Sequence, residues 1–297
     1  MCAAYAIEPE TSIASELNRI LCEQIALATQ ALATVSRKRL QGVSDAQAAL
    51  ERMAALGHLF AATDPDLAGR AVAQVEAIAY GLAPLREYFA QRALFTDLLA
   101  GLDTSPVFER VREICETPPV VMIEGREMSP KRLAALASGR VEALVAALDP
   151  GLLGAFDRAD LRAGLAGSWA DCRRHAVRAL KSGVGADFGN WGRYARFYGC
   201  QLRLLSVVEK SDPVRTEQAT QLADLLSRER ELATLNERLR HLVRTRTEAA
   251  YQPFIDAIVD RRQLLRLEIE MLTELLLDIG AEIGPGKSVL TVTSPQA

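Results

Sequence analysis

Apolar residues recur at three- and four-residue steps along almost the whole chain. Ile13, Leu17, Ile20, Leu21, Ile25 and Leu32 are the first such series, the pattern of a helix with one buried face. The interruptions carry helix-start signals. Ser44-Asp-Ala-Gln47 has the form of a capping box, opening a helix through Leu50, Met53 and Phe60. Asp64-Pro65, Ser105-Pro106, Ser129-Pro130 and Asp212-Pro213 each set a capping side chain before a proline at the first helical position. Asp187 is expected to cap the helix that follows it. Only Pro118–Ile123 and Ser288–Thr293 read as extended, so the expectation is an all-α chain of about eight main helices. Thr117–Met128 is the least regular internal stretch, and the tail after Gly284 reads as disordered.

The two halves of the chain echo one another. The helix opening at Ser44 is followed by Leu82-Ala-Pro-Leu-Arg86-Glu87. The helix of Gly189 is followed, at almost the same offset, by Leu226-Ser-Arg-Glu-Arg230-Glu231. A period of about 145 residues suggests two four-helix halves around a pseudo-two-fold axis.

Composition narrows the class. Aromatics are 5% and charged residues 25% of 297, as in a soluble helical protein large enough for a substantial core. The net charge of −3 argues against a general or sequence-specific nucleic-acid binder. No uncharged apolar run reaches the length of a bilayer span, so no membrane association is expected. The N-terminus MCAAYAIEPE lacks the basic and apolar segments of a signal peptide. Cys2, Cys22, Cys115, Cys172 and Cys200 are scattered without C-x-x-C spacing. They read as thiols in a reducing cytoplasm.

Charge is distributed unevenly. Between Leu161 and Arg203 lie Arg162, Arg173, Arg174, Arg178, Lys181, Arg193, Arg196 and Arg203 against only Asp171 and Asp187. Arg174, Arg178 and Lys181 share one helical face, and Arg196 and Arg203, seven apart, share another on the next helix. Two such stripes on adjacent antiparallel helices suit a polyanion, because guanidinium groups grip phosphate oxygens bidentately. The alternative is a solvated basic face balanced by acidic surface elsewhere.

Other candidate chemistry dissolves on inspection. Gly284-Pro-Gly-Lys287-Ser288 ends like a phosphate-binding loop, but the glycine needed at 281 is Ala281 and the chain then ends. Asp187-Phe188-Gly189 has no kinase catalytic loop before it. Glu268-Ile-Glu270 lacks a lysine at 272. His58, His175 and His241 have no metal-ligand partner at i+3 or i+4. No enzyme, cofactor or metal site is expected.

In sequence order, these elements resemble the CHAD family, the conserved-histidine α-helical domain. Its second repeat typically reads F-H-E-W-R-K-x-x-K, then Q-L-R-L-L. Here the chain gives Phe188-Gly-Asn-Trp191-Gly-Arg193-Tyr-Ala-Arg196 and then Gln201-Leu-Arg203-Leu-Leu205. Gly164-Leu165 with Trp169 and Arg173 resembles the preceding helix, and Leu222–Leu235 the following one. In the first repeat, Arg19–Gln24, Val43–Glu51 and Leu82–Glu87 lie over the corresponding segments.

The resemblance implies a single helical domain over 12–283. Its repeats are about 12–149, with an irregular insertion near 103–128, and about 155–283; 284–297 is left as a tail. It also implies a non-catalytic module binding inorganic polyphosphate, in the cytoplasm or on polyphosphate granules. Arg193 and Arg196 stand at family basic positions, and Arg203 also matches. Arg174, Arg178 and Lys181 join the candidate site from the stripe alone. The chain departs from the pattern where the family binds phosphate. The signature histidines are Ser44 and Gly189, and the first repeat's basic positions are Gln47, Ala48 and Glu51. The second reading is therefore a degenerate scaffold that acts through protein contacts.

Overall fold

The computed structural model describes residues 5–35, 39–99, 109, 111–112, 121–123, 126–147, 156–210, 212–246 and 252–279. Eight α-helices account for most of these: α1 (Ile13–Thr34), α2 (Arg39–Leu59), α3 (Pro65–Leu99), α4 (Pro130–Ala147), α5 (Arg158–Ser182), α6 (Gly185–Leu205), α7 (Pro213–Arg246) and α8 (Gln252–Leu277). A hairpin of β1 (Val121–Ile123) and β2 (Arg126–Met128) pairs Val121 with Met128 and Ile123 with Arg126. The extended reading of Pro118–Ile123 thus holds for its last three residues. Ser105-Pro106, Ser288–Thr293 and the tail lie outside the described residues.

Three start signals work as the sequence suggests. Asp64 Oδ1 accepts from Leu67 N at 2.9 Å, Ser129 Oγ from Arg132 N at 3.3 Å, and Asp212 Oδ1 from Val214 N at 3.0 Å. Each satisfies a backbone donor that the helix cannot. Ser12 does the same for α1 through Ser15 N, at 3.2 Å.

Two signals fail. Ser44 lies inside α2, which begins at Arg39. Val43, Ala46, Ala49 and Leu50 form one continuous buried face there, and burial of that face overrides a local cap. Asp187 sits in the first turn of α6 instead of before it. Its carboxylate accepts from Ser182 Oγ at 2.7 Å.

The chain divides into two compact units, each drawing segments from both halves of the sequence. The first comprises Met1–Phe89, Pro118–Trp169 and Arg196–Glu217. Within it α1 packs against α2 and α4. Leu17, Ile20, Leu56, Leu59, Phe60, Phe156, Leu161 and Leu204 form its core, and Ile7 N donates to Leu204 O at 2.9 Å. The backbone of α5 comes so close to the end of α2 that a Cβ on Gly164 would lie 1.8 Å from Leu59 O. Only glycine fits there.

The second unit comprises Ala90–Thr117, Ala170–Ala195 and Gln218–Ala297. Phe188 and Trp191 of α6 are buried with Leu222, Leu226 and Leu235 of α7 and Leu265, Ile269 and Leu272 of α8. At its centre Glu229 is fully buried. Its Oε1 accepts from Arg262 Nη2 at 2.7 Å and Arg266 Nη2 at 2.8 Å. The Arg266 guanidinium also lies over the Phe188 ring, 4.6 Å from its centroid.

Candidate functional site

Helix α5 and the start of α6 bring four of the six candidate cations into the second unit: Arg174, Arg178, Lys181 and Arg193. Arg174 and Arg178 are 68% and 70% exposed. Each touches a carboxylate. Arg174 Nη2 lies 2.6 Å from Asp171 Oδ1, one turn earlier, and Arg178 Nε lies 2.8 Å from Asp187 Oδ1. Lys181 is exposed in the last turn of α5.

Arg193 is half-buried, with its guanidinium 5.4 Å from the centroid of the Tyr194 ring. Tyr194 stacks on His175 at 4.2 Å and 11°. The imidazole of His175 is held below its ordinary range. Burial is the larger cause, and the positive field of Arg174 adds to it, with Asp171 opposing and Arg178 and Arg193 reinforcing. Three of the candidate cations therefore act on one ring. His175 is the residue that sequence reasoning missed: its spacing from Arg174 and Arg178 was legible, but its stacking partner comes from the next helix.

Arg196 and Arg203 belong to the first unit. The Arg196 guanidinium is bonded to the Glu51 carboxylate of α2, and both side chains are about one-fifth exposed. Arg203 is exposed. The neighbouring thiol of Cys200 is pushed up to about 11, by burial first and by Glu51 next, against the fields of Arg52, Arg196 and Arg203. Burial likewise raises Cys172 to about 12. Neither thiol is a nucleophile near neutral pH.

One glycine of α6, Gly192, answers to packing. A Cβ on Gly192 would meet Leu226 Cβ at 3.3 Å, so α6 and α7 approach closely there. Gly189 has Arg230 Cδ 3.8 Å from where its Cβ would be, an ordinary contact distance.

Among the described residues no group of three or more His, Cys, Asp or Glu side chains is arranged to hold a metal ion. Among them, too, no helix is long and apolar enough to cross a membrane. Comparison with family models, curated proteins and solved structures returns no match.

Proposed function

We propose that this chain is a divergent, non-catalytic helical module of CHAD type that binds inorganic polyphosphate or a similar phosphate-rich anion. The binding surface is the one formed by Arg174, Arg178 and Arg193 around the His175–Tyr194 stack, with Lys181 about one turn further along α5. Two structural features support the CHAD-type architecture. Helix lengths run 22, 21, 35 and 18 residues in α1–α4 and 25, 21, 34 and 26 in α5–α8. The second feature lies in long-range bonds. Arg196–Glu51, Gln201–Ala55 and Arg238–Gln91 join residues 145, 146 and 147 apart. Two repeats around a two-fold axis bring equivalent residues together beside that axis, so bonds at the repeat period are what such an arrangement produces.

The observation that carries the ligand reading is geometric: the Arg193 guanidinium lies over Tyr194, which stacks on His175, the residue after Arg174 and one turn before Arg178 on α5. The carboxylates beside Arg174 and Arg178 do not remove the cationic character. The Asp171–Arg174 pair is of the exposed kind that contributes about 0–1 kcal/mol, so a multivalent anion displaces it at small cost. The buried Asp187 keeps its bond to Arg178 Nε, and the anion meets the exposed part of that guanidinium. Phosphate oxygens would take the place of the Asp171 oxygen on Arg174.

The second reading, a scaffold acting through protein contacts, draws on a different observation. Glu51 neutralises Arg196, and that carboxylate stands where the family resemblance calls for a cation. Long-chain polyphosphate binding, measured at two salt concentrations, separates the readings. The module predicts saturable binding that weakens with salt by about 0.7 in log K per log salt for each neutralised phosphate. Arg178→Ala/Arg193→Ala would lose it and Arg196→Ala would keep it. No binding at low salt would leave the scaffold.

A further inference from the structure

Helix α8 has a second apolar face that faces away from its own core. Leu265, Ile269, Leu272 and Leu276 point inward, whereas Leu264, Met271 and Leu275 are 53%, 67% and 73% exposed. Single exposed apolar residues are ordinary. Three spaced seven and four apart form the seam along which helices pair, and among the described residues no other helix presents three in such a row.

The charges around this seam specify its occupant. Arg261 is exposed at one end, and Asp278 is exposed at the other. When the helix is turned end for end about the point between Ile269 and Glu270, Leu264 falls opposite Leu275 and Glu268 opposite Met271. Arg261 then falls opposite Asp278. Leu264–Leu275 and Glu268–Met271 pair within the helix, and Asp278, the residue just past its end with φ 49°, brings the Arg261 charge pair to the edge of the same face. A parallel pair would instead set Arg261 against Arg261 and Asp278 against Asp278. In the antiparallel pair the Glu268 stem lies along the Met271 thioether while its carboxylate reaches water. The Asp278 end of the seam is fixed, because Arg173 Nη2 donates to the Asp278 carbonyl at 3.2 Å.

We infer that two copies of this chain associate antiparallel through the Leu264–Met271–Leu275 face of α8. The inference does not depend on the polyphosphate reading. One helical seam buries less than the roughly 1,200 Å² of a standard stable interface, so the dimer is reversible, with a dissociation constant in the micromolar range.

Sedimentation of the full-length chain from about 1 to 200 µM tests it, a span bracketing micromolar affinity. Arg261→Asp and Asp278→Arg each place like charges across the seam, and each weakens the dimer by about tenfold or more. The combined Arg261→Asp/Asp278→Arg chain restores it, which no loss of folding could imitate, and Leu275→Glu abolishes it. Far-UV circular dichroism checks each variant. A chain that stays monomeric throughout, a dimer indifferent to the single reversals, or a double reversal that fails to rescue would each overturn the inference.

Discussion

Gly164 and Gly167 lie three residues apart on α5, and glycine-to-alanine exchange should move stability in opposite directions at the two. Helix propensity alone favours both exchanges by about 1 kcal/mol. At Gly167 nothing lies within 4 Å of the added Cβ, so Gly167→Ala should gain about 0.5–1 kcal/mol. At Gly164 the Cβ would stand 1.8 Å from Leu59 O and 2.8 Å from Leu59 C. The obstacle is backbone at the end of α2, which cannot rotate away as a side chain would. Restoring contact distance requires α5 and α2 to separate by more than an ångström, which loosens Leu59, Leu161 and Phe156 in the same core. Overpacking costs about 1–3 kcal/mol, occasionally more. The upper end applies here, leaving Gly164→Ala destabilised by about 2 kcal/mol after the propensity gain. Urea unfolding followed by circular dichroism reads both variants against the parent. A Gly164→Ala chain as stable as the parent, or more so, would refute the close approach of α5 to α2.

Glu229 and His175 give two further tests. Glu229→Gln leaves the half-buried guanidinium groups of Arg262 and Arg266 without a counter-charge, and should cost about 3–5 kcal/mol; a loss under about 1 kcal/mol in urea unfolding would count against the buried triad. His175 is held below its ordinary 6.5, so the unfolded chain binds its proton first as pH falls. Its contribution to stability is complete above pH 6.5 and is lost as pH drops from there through the folded pKa. His175→Gln should flatten that part of the pH–stability profile. Bound polyphosphate offsets the guanidinium field and should raise the imidazole titration followed by NMR; an unmoved titration would place the anion elsewhere.

The sequence by itself determined what is local. A capping bond spans two or three residues, so Asp64-Pro65, Ser129-Pro130 and Asp212-Pro213 announce α3, α4 and α7 without help from the rest of the chain. The three-and-four spacing of Ile13–Leu32 likewise commits α1 to one buried face, because helical geometry alone puts those side chains together. The cationic run from Arg162 to Arg203 was legible in the same way, and so was the i, i+3 pairing of Asp171 with Arg174.

Tertiary structure decided everything that depends on which distant residues become neighbours. The start of α2 moved to Arg39 because burial of Val43 and Ala46 outweighs a cap at Ser44. Arg196 met Glu51, 145 positions away in chain order, and no spacing rule links that cation to that carboxylate. Glycine at 164 reads in sequence as a weak helix position, and in the fold as the point where two backbones touch. His175 reads as an isolated histidine until Tyr194 of the next helix covers it. Backbone propensity acts over one or two turns, whereas side-chain burial and charge pairing act through space. Helices are therefore written residue by residue, while the surroundings of each arginine exist only once those helices have packed.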